Sequence, residues 1–188
     1  MNAFDWITTT LALVLGLGTT RLLLSALAVF RSRGRARMDW VPMVWAGCIF
    51  LAQLQFWWAV HELPLLVAHW TFLHFLSLVG LVLTLFVASA LVLPDVELKE
   101  GDSLTAAFRR DGRWALVFLS LYFALAALAD WSFWGVSPWK GVGLVNPALV
   151  AFPPVYLSLR QRKAQCVTTV LYAAFYIWAA WLLSPKEY

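Results

Sequence analysis

Charged residues, cysteine and catalytic signatures are scarce in this chain. Only 13% of its 188 residues are charged, about half the share found in soluble domains, which argues against an ordinary water-exposed surface. Its two cysteines, Cys48 and Cys166, form no CxxC pair or cysteine–histidine set, so they indicate packing residues rather than a metal site. The sequence contains no glycine-rich phosphate loop, GxSxG, HExxH or CxxCH, which disfavours an enzyme.

Apolar residues dominate instead, at 62% of the chain. They form six runs near the length of about 20 residues that a helix needs to cross a bilayer. The runs are 4–30, 41–60, 64–93, 114–134, 142–159 and 166–183. They lack the alternation of a membrane β-barrel, and backbone in lipid must bond to itself. The sequence therefore predicts one all-α domain, a polytopic bundle of six transmembrane helices with the lipid bilayer as partner.

The basic residues predict the orientation of this bundle. Of 14 Lys and Arg, four lie in the first loop (31–37), four in the third (95–113) and three in the fifth (160–163). The positive-inside rule puts these loops in the cytosol and both termini outside, in a bacterial inner membrane. Charges confined to loops do not make a nucleic-acid surface. Within the third loop, 104–110 is predicted to form a short cytosolic helix that leads into the fourth span. This helix lies on the membrane surface or is a docking site for a partner.

The polar residues inside the runs, where lipid makes them costly, include Arg21, Gln53, Gln55 and Asn146. Arg21 shares a helix face with Gly18 and Ser25, which suits close helix contact. One interpretation is that Arg21 hydrogen-bonds to Gln53 or Gln55 inside the bundle. The alternative is that its side chain extends to the basic surface.

Two prolines, Pro153 and Pro154, lie inside the fifth run. They cannot donate hydrogen bonds to the carbonyls of Leu149 and Val150, so the sequence predicts a kink or break there. Bundles tolerate such a feature as a matter of shape, whereas transporters use broken helices to expose backbone groups to a substrate.

Tryptophan is unusually frequent, and nine of the 12 tryptophans map to the predicted outer side. One hypothesis is an outer aromatic vestibule for a small organic or cationic solute. The alternative is an asymmetric aromatic belt. The candidate ligand-binding residues are Trp57, Trp58, His69, Trp70, His74, Asp130 and Trp131.

The two histidines of the third run raise a further reading. His69 and His74 point about 140° apart on a helix, so they cannot easily share one ligand. No cofactor is predicted. A haem- or quinone-binding redox subunit that uses one of these histidines is the weakest of three functional hypotheses.

Three stretches carry a resemblance. They are FDWITTTLALVLGLGTTRLL, VWAGCIFLAQLQFWWAVHEL and FRRDGRWALVFLSLYF. Together they resemble a group of small bacterial inner-membrane proteins. This resemblance covers most of the chain and implies a six-helix fold. It implies no activity, cofactor or catalytic residue.

The leading functional hypothesis is a small-solute or ion transporter, a channel or a solute-binding membrane protein. The second is a non-transporting accessory or sensory subunit that works with another membrane subunit. Both hypotheses are compatible with a homo-oligomer. A cavity reaching the membrane midplane beside Pro153 would favour transport, and a dry, tightly packed bundle would favour the accessory role.

Overall fold

The structure, a computed structural model, describes residues 3–66 and 71–183. Its helices are α1 (Ala3–Arg31), α2 (Trp40–Leu66), α3 (Phe72–Val92), α4 (Leu104–Ala107), α5 (Arg113–Trp134), α6 (Val145–Ser158) and α7 (Arg162–Leu183). Short 3-10 turns precede α2 and α6, and a π-helical turn joins α4 to α5. Within these described ranges there is no strand beyond an isolated bridge between Arg37 and Ser103.

Six helical segments of the described chain are long and apolar enough to cross a membrane. They are Trp6–Gly34, Trp40–Val60, Phe72–Val92, Leu104–Phe133, Gly141–Ser158 and Arg162–Leu182. The prediction of an all-α bundle with six membrane-spanning helices is therefore confirmed.

Most of the apolar surface of these spans faces outward. In the most apolar stretch of each span, only 22% to 44% of the residues are buried. Leu13 and Ile177, on helices at opposite ends of the sequence, are both more than 60% exposed. Contiguous apolar surface of this extent is incompatible with water, so the perimeter requires acyl chains around it.

Contacts between the six long helices form a ring in the order α1, α3, α5, α6, α7, α2, and α2 also packs against α3 and α5 across this ring. The closest packing is between α3 and α5, between α1 and α3, and between α5 and α6. The loops around 31–39, 93–103 and 159–161 meet at one end of this ring, here called the basic end. There Arg37 N donates to Asp102 O at 2.9 Å, and Leu98 N donates to Ser32 Oγ at 2.8 Å.

The boundary between the second and third helices differs from the sequence prediction. Pro64 was expected to begin the third span, but α2 continues through it to Leu66, and α3 begins only at Phe72. A proline in the last turn removes only one backbone bond, where a helix is already losing bonds. The α3 N-terminus is capped by Thr71, whose Oγ1 accepts from His74 N at 3.2 Å.

The short helix expected at 104–110 does lead into the fourth span, but the prediction that it lies on the membrane surface is wrong. Leu104 and Phe108 are buried, so this segment packs into the bundle instead of lying on the membrane. It continues into α5 through the π-helical turn Phe108–Gly112. Gly112 is required there, because a Cβ at this position would lie 2.2 Å from the Phe108 ring.

The break that was one of the two possibilities at Pro153 and Pro154 does not occur, because α6 runs unbroken from Val145 to Ser158. A kink at this point stays a prediction. Pro154 leaves the carbonyl of Val150 without its helical donor. Ser120 of α5 supplies the missing bond, donating its hydroxyl to Val150 O at 2.8 Å. A neighbouring helix thus satisfies the backbone that the proline exposes, as membrane bundles require.

We expect Ser120→Ala to lower the free energy of unfolding by about 1 kcal/mol, because the Val150 carbonyl loses its donor inside the bundle. Unfolding of the purified protein in a sodium dodecyl sulfate titration measures this change. Ser158→Ala is the matched control, since the Ser158 hydroxyl donates to Val155 O of its own helix at an exposed position. Equal losses in the two variants would contradict the role given to Ser120.

Gln53 joins three helices. Its side chain is buried, its Oε1 accepts from Thr19 Oγ1 at 3.1 Å, and its Nε2 donates to Ser89 Oγ at 2.7 Å. Arg21 takes no part in this contact and instead pairs with Asp95 at 3.3 Å, near the basic end. The expected bond from Arg21 to Gln53 or Gln55 is therefore absent among the described contacts. The pairing with Asp95 corresponds to the surface-directed alternative.

Candidate functional site

A cavity of about 500 Å³ lies among α2, α3 and α5, at the end of the ring away from the basic loops. We call it the main cavity. Its deepest residues include Leu81 and Tyr122, which are each the tenth residue of their helix. Because α3 and α5 have 21 and 22 residues, the cavity extends to about the middle of the bundle.

One face of α5 forms much of the wall. Tyr122, Ala126, Ala129 and Phe133 all line the cavity. Their spacing of i, i+4, i+7 and i+11 places them along one side of a helix. The two alanines leave space between the aromatic rings, so this face is concave.

Asp130 lies on the same helix and is the one acidic residue among the described residues that line the cavity. Its Oδ2 accepts a hydrogen bond of 2.7 Å from Asn146 Nδ2 in the first turn of α6. Its position in the last turn of α5 adds the negative end of the helix dipole to its own carboxyl group. This part of the cavity therefore favours a positively charged group.

The structure brings together four of the residues singled out from the sequence. Trp58, Asp130, Asn146 and Gln55 all line the main cavity. The prolines do not, so α6 contributes Asn146 rather than the Pro153 region, where a cavity would have favoured transport.

The other aromatic candidates lie elsewhere. Trp57 lines a separate pocket of about 170 Å³ with residues of α1. Trp131 is 58% exposed on the perimeter and is not among the lining residues, an arrangement typical of an aromatic belt. His69 and Trp70 lie outside the described residues. The predicted vestibule is thus only partly tryptophan, and its remaining rings are Phe and Tyr.

His74 is half-buried beside the cavity and not on its wall. Its ring packs against that of Phe133, with the centroids 5.2 Å apart. In the described ranges, no group of three or more His, Cys, Asp or Glu side chains could hold a metal ion. Cys48 is buried, Cys166 is partly buried, and both are free thiols. The haem or quinone interpretation stays a prediction.

An aromatic cluster closes the bundle below the cavity floor. The ring of Tyr176 packs on that of the cavity residue Phe123, with the centroids 5.5 Å apart, and the ring of Tyr172 packs on that of Tyr176, with the centroids 5.9 Å apart. The ring centroid of Trp45 lies 4.5 Å from that of Tyr172 and 5.4 Å from that of Tyr156, which is near the basic end. We call Trp45, Tyr172 and Tyr176 the aromatic plug.

The plug holds polar atoms that the rest of the described chain does not satisfy. Trp45 Nε1 and the hydroxyls of Tyr172 and Tyr176 are buried without a hydrogen-bond partner among the described residues. Leaving such groups unpaired costs free energy, so a native structure keeps few of them. The i, i+4 spacing of Tyr172 and Tyr176 was a visible signal. The sequence analysis did not consider the tyrosines, so this pair was missed.

The ring of apolar helices, with its lipid-requiring perimeter and a cavity between the helices, defines a multi-pass α-helical membrane protein. Comparison with protein-family models, with curated proteins and with solved structures finds no match to this chain.

Proposed function

We propose that the protein is a membrane transporter that binds a small organic cation in the main cavity. The observation that carries this proposal is the carboxyl group of Asp130, the one charged group among the described lining residues of a mostly apolar and aromatic cavity that extends to the middle of the bundle. The volume of about 500 Å³ is typical of sites for small organic ligands.

The walls support a cationic ligand over an anionic one. Trp58, Tyr122 and Phe133 offer ring faces, which attract cations through their quadrupoles. No Lys or Arg is among the described lining residues. A ligand with an ammonium group near Asp130 and apolar substituents against the rings satisfies both parts of the cavity.

The aromatic plug supports movement of the ligand beyond the cavity. It lies between the cavity floor and Tyr156, so its rearrangement would connect the two ends of the bundle. Its unpaired hydroxyl and indole groups would gain water as partners when the plug opens, which lowers the cost of opening.

The same proposal places the protein in the bacterial inner membrane, with the basic loops in the cytosol and both termini outside. The distribution of Lys and Arg among the loops supports them. In this orientation the main cavity faces the outside.

The test is binding of benzyltrimethylammonium, a permanent organic cation, to the purified protein, followed by calorimetry. We expect Asp130→Asn to weaken binding at least about tenfold, because the low-dielectric cavity loses the one charge partner for the ligand among its described lining residues. Asparagine keeps the shape of the side chain and its contact with Asn146. Asp111→Asn is the matched control, since Asp111 lies at the basic end, far from the cavity.

Two outcomes would overturn the binding proposal. One is equal affinity of the wild type and Asp130→Asn, and the other is equal binding of benzenesulfonate, an aromatic anion. Transport is tested separately, by counterflow of labelled benzyltrimethylammonium in proteoliposomes.

The second candidate function is a non-transporting sensory subunit. The observation that favours it is that the plug residues are almost completely buried, which closes the cavity toward the basic end. Binding without counterflow would select this function.

A further inference from the structure

A second pocket, of about 330 Å³, lies at the basic end, away from the main cavity. We call it the arginine pocket. Arg109 and Arg113 contribute from one side and Arg160 from the loop between α6 and α7. Arg109 and Arg113 are four residues apart along the π-helical turn and the start of α5, so three exposed arginines border one space. The Arg113 guanidinium lies over the ring of its neighbour Trp114, with its carbon 5.5 Å from the ring centroid.

The charges of these three arginines are not neutralised by neighbours. Five other arginines form ion pairs with acidic side chains: Arg21, Arg31, Arg35, Arg110 and Arg162. No described acidic side chain is within ion-pair distance of Arg109, Arg113 or Arg160. Three like charges in one pocket repel one another, so an anion between them is favoured.

The loop that carries Arg160 is fixed in place. Gln165, which also lines the pocket, donates from Nε2 to Leu159 O at 2.8 Å. Leu159 N in turn donates to Tyr156 O at 3.2 Å. Both bonds immobilise the backbone beside Arg160, so the pocket exists without rearrangement of its loop.

The remaining lining combines an apolar and a polar part. Phe108 and Leu157 are apolar, and Tyr156 carries a hydroxyl group. The pocket is lined by residues near the basic ends of the candidate spans Leu104–Phe133, Gly141–Ser158 and Arg162–Leu182. Guanidinium groups match the geometry of phosphate oxygens and bind them through two parallel bonds.

From this geometry we infer that the arginine pocket binds a phosphate group. The phosphate comes either from the headgroup of an anionic phospholipid or from a free phosphate compound. Basic pockets between membrane helices bind phospholipid headgroups in this way. The inference does not depend on the ligand proposed for the main cavity.

The test is native mass spectrometry of the detergent-purified protein, with phosphatidylglycerol and inorganic phosphate as separate probes. We expect phosphatidylglycerol to bind, and Arg109→Gln/Arg113→Gln/Arg160→Gln to weaken its binding at least about tenfold, since each basic residue near a headgroup contributes about fivefold. The matched control is Arg33→Gln/Arg37→Gln/Lys99→Gln, which removes three exposed charges at the same end but outside the pocket.

The two probes separate the sources of the phosphate. Binding of phosphatidylglycerol alone assigns a lipid headgroup, and binding of inorganic phosphate with the same arginine dependence assigns the phosphate itself. Arg160→Gln alone, in a loop outside every helix, keeps the test valid if the triple variant does not fold, and it should weaken binding about fivefold. Equal losses in the pocket and control variants, or no binding of either probe, would overturn the inference.

Discussion

Replacing Arg162 by methionine is expected to lower the free energy of unfolding by about 2 kcal/mol, between the cost of breaking an exposed ion pair and that of breaking a buried one, because the Arg162 side chain is 37% exposed. The guanidinium of Arg162 contacts both carboxyl oxygens of Asp39, whose side chain is only 7% exposed. Without Arg162, the Asp39 charge stays buried with Thr105 Oγ1 at 2.6 Å and Val41 N at 3.0 Å as its donors. These two bonds keep the loss from being larger.

The pair also predicts a dependence on pH. Burial raises the pKa of Asp39. The bonds from Thr105 and Val41 and the charge of Arg162 together lower the pKa by more than burial raises it, so the net pKa is below the ordinary value of an aspartate. A lowered folded-state pKa means that the contribution is complete above the unfolded pKa, near 4, and is lost as the pH falls through the folded pKa. The difference between wild type and Arg162→Met should therefore shrink in acid.

A sodium dodecyl sulfate titration at neutral pH and below pH 4 measures both effects. Arg110→Met is the control, because Arg110 pairs with Asp111 at 2.9 Å while both side chains are more than half exposed. Exposed pairs of this kind contribute less than about 1 kcal/mol. If the two variants lose the same stability, the Asp39 contact does not hold the basic end together.

The second large effect is expected at Gly18. A Cβ on Gly18 would lie 2.9 Å from Gln53 Nε2 and 3.4 Å from the Phe86 backbone. A leucine would displace Gln53 from its bonds with Thr19 and Ser89 and push α1 away from α3. We expect Gly18→Leu to cost about 2 to 3 kcal/mol, within the range for overpacking a core.

Gly16 is the matched control, on the same helix and one half-turn away. A Cβ at Gly16 meets nothing within 4 Å, so Gly16→Leu should leave the free energy of unfolding within about 0.5 kcal/mol of wild type. Both variants gain the same helix propensity, so their difference isolates the contact. Similar stability of the two variants in the detergent titration would disprove close packing at Gly18.

The number of helices could be predicted from the sequence, because hydropathy over about 20 residues measures the preference for lipid directly. The direction in which each helix faces could not be predicted from the sequence, since the acyl chains and the protein interior are equally apolar. Trp57 and Trp58 illustrate the problem. They are adjacent in sequence, yet only Trp58 lines the main cavity.

Polar residues were better guides than tryptophans. Asp130 and Asn146 were both chosen from the sequence, and a hydrogen bond joins them in the cavity. The two expectations that failed, a break at Pro153 and Pro154 and a surface location for 104–110, came from treating a segment alone. Ser120 on another helix supplies the bond that keeps α6 continuous, and burial of Leu104 and Phe108 depends on their neighbours.

The π-helical turn at Phe108–Gly112 determines the angular phase of everything that follows it in α5. A π-helical turn contains one residue more than an α-helical repeat, and one residue corresponds to about 100° of rotation. Asp130 lies 18 residues beyond Gly112, about 27 Å along the axis. One additional residue near the basic end of α5 thus determines the direction in which the Asp130 carboxyl group, near the opposite end, faces around the helix axis.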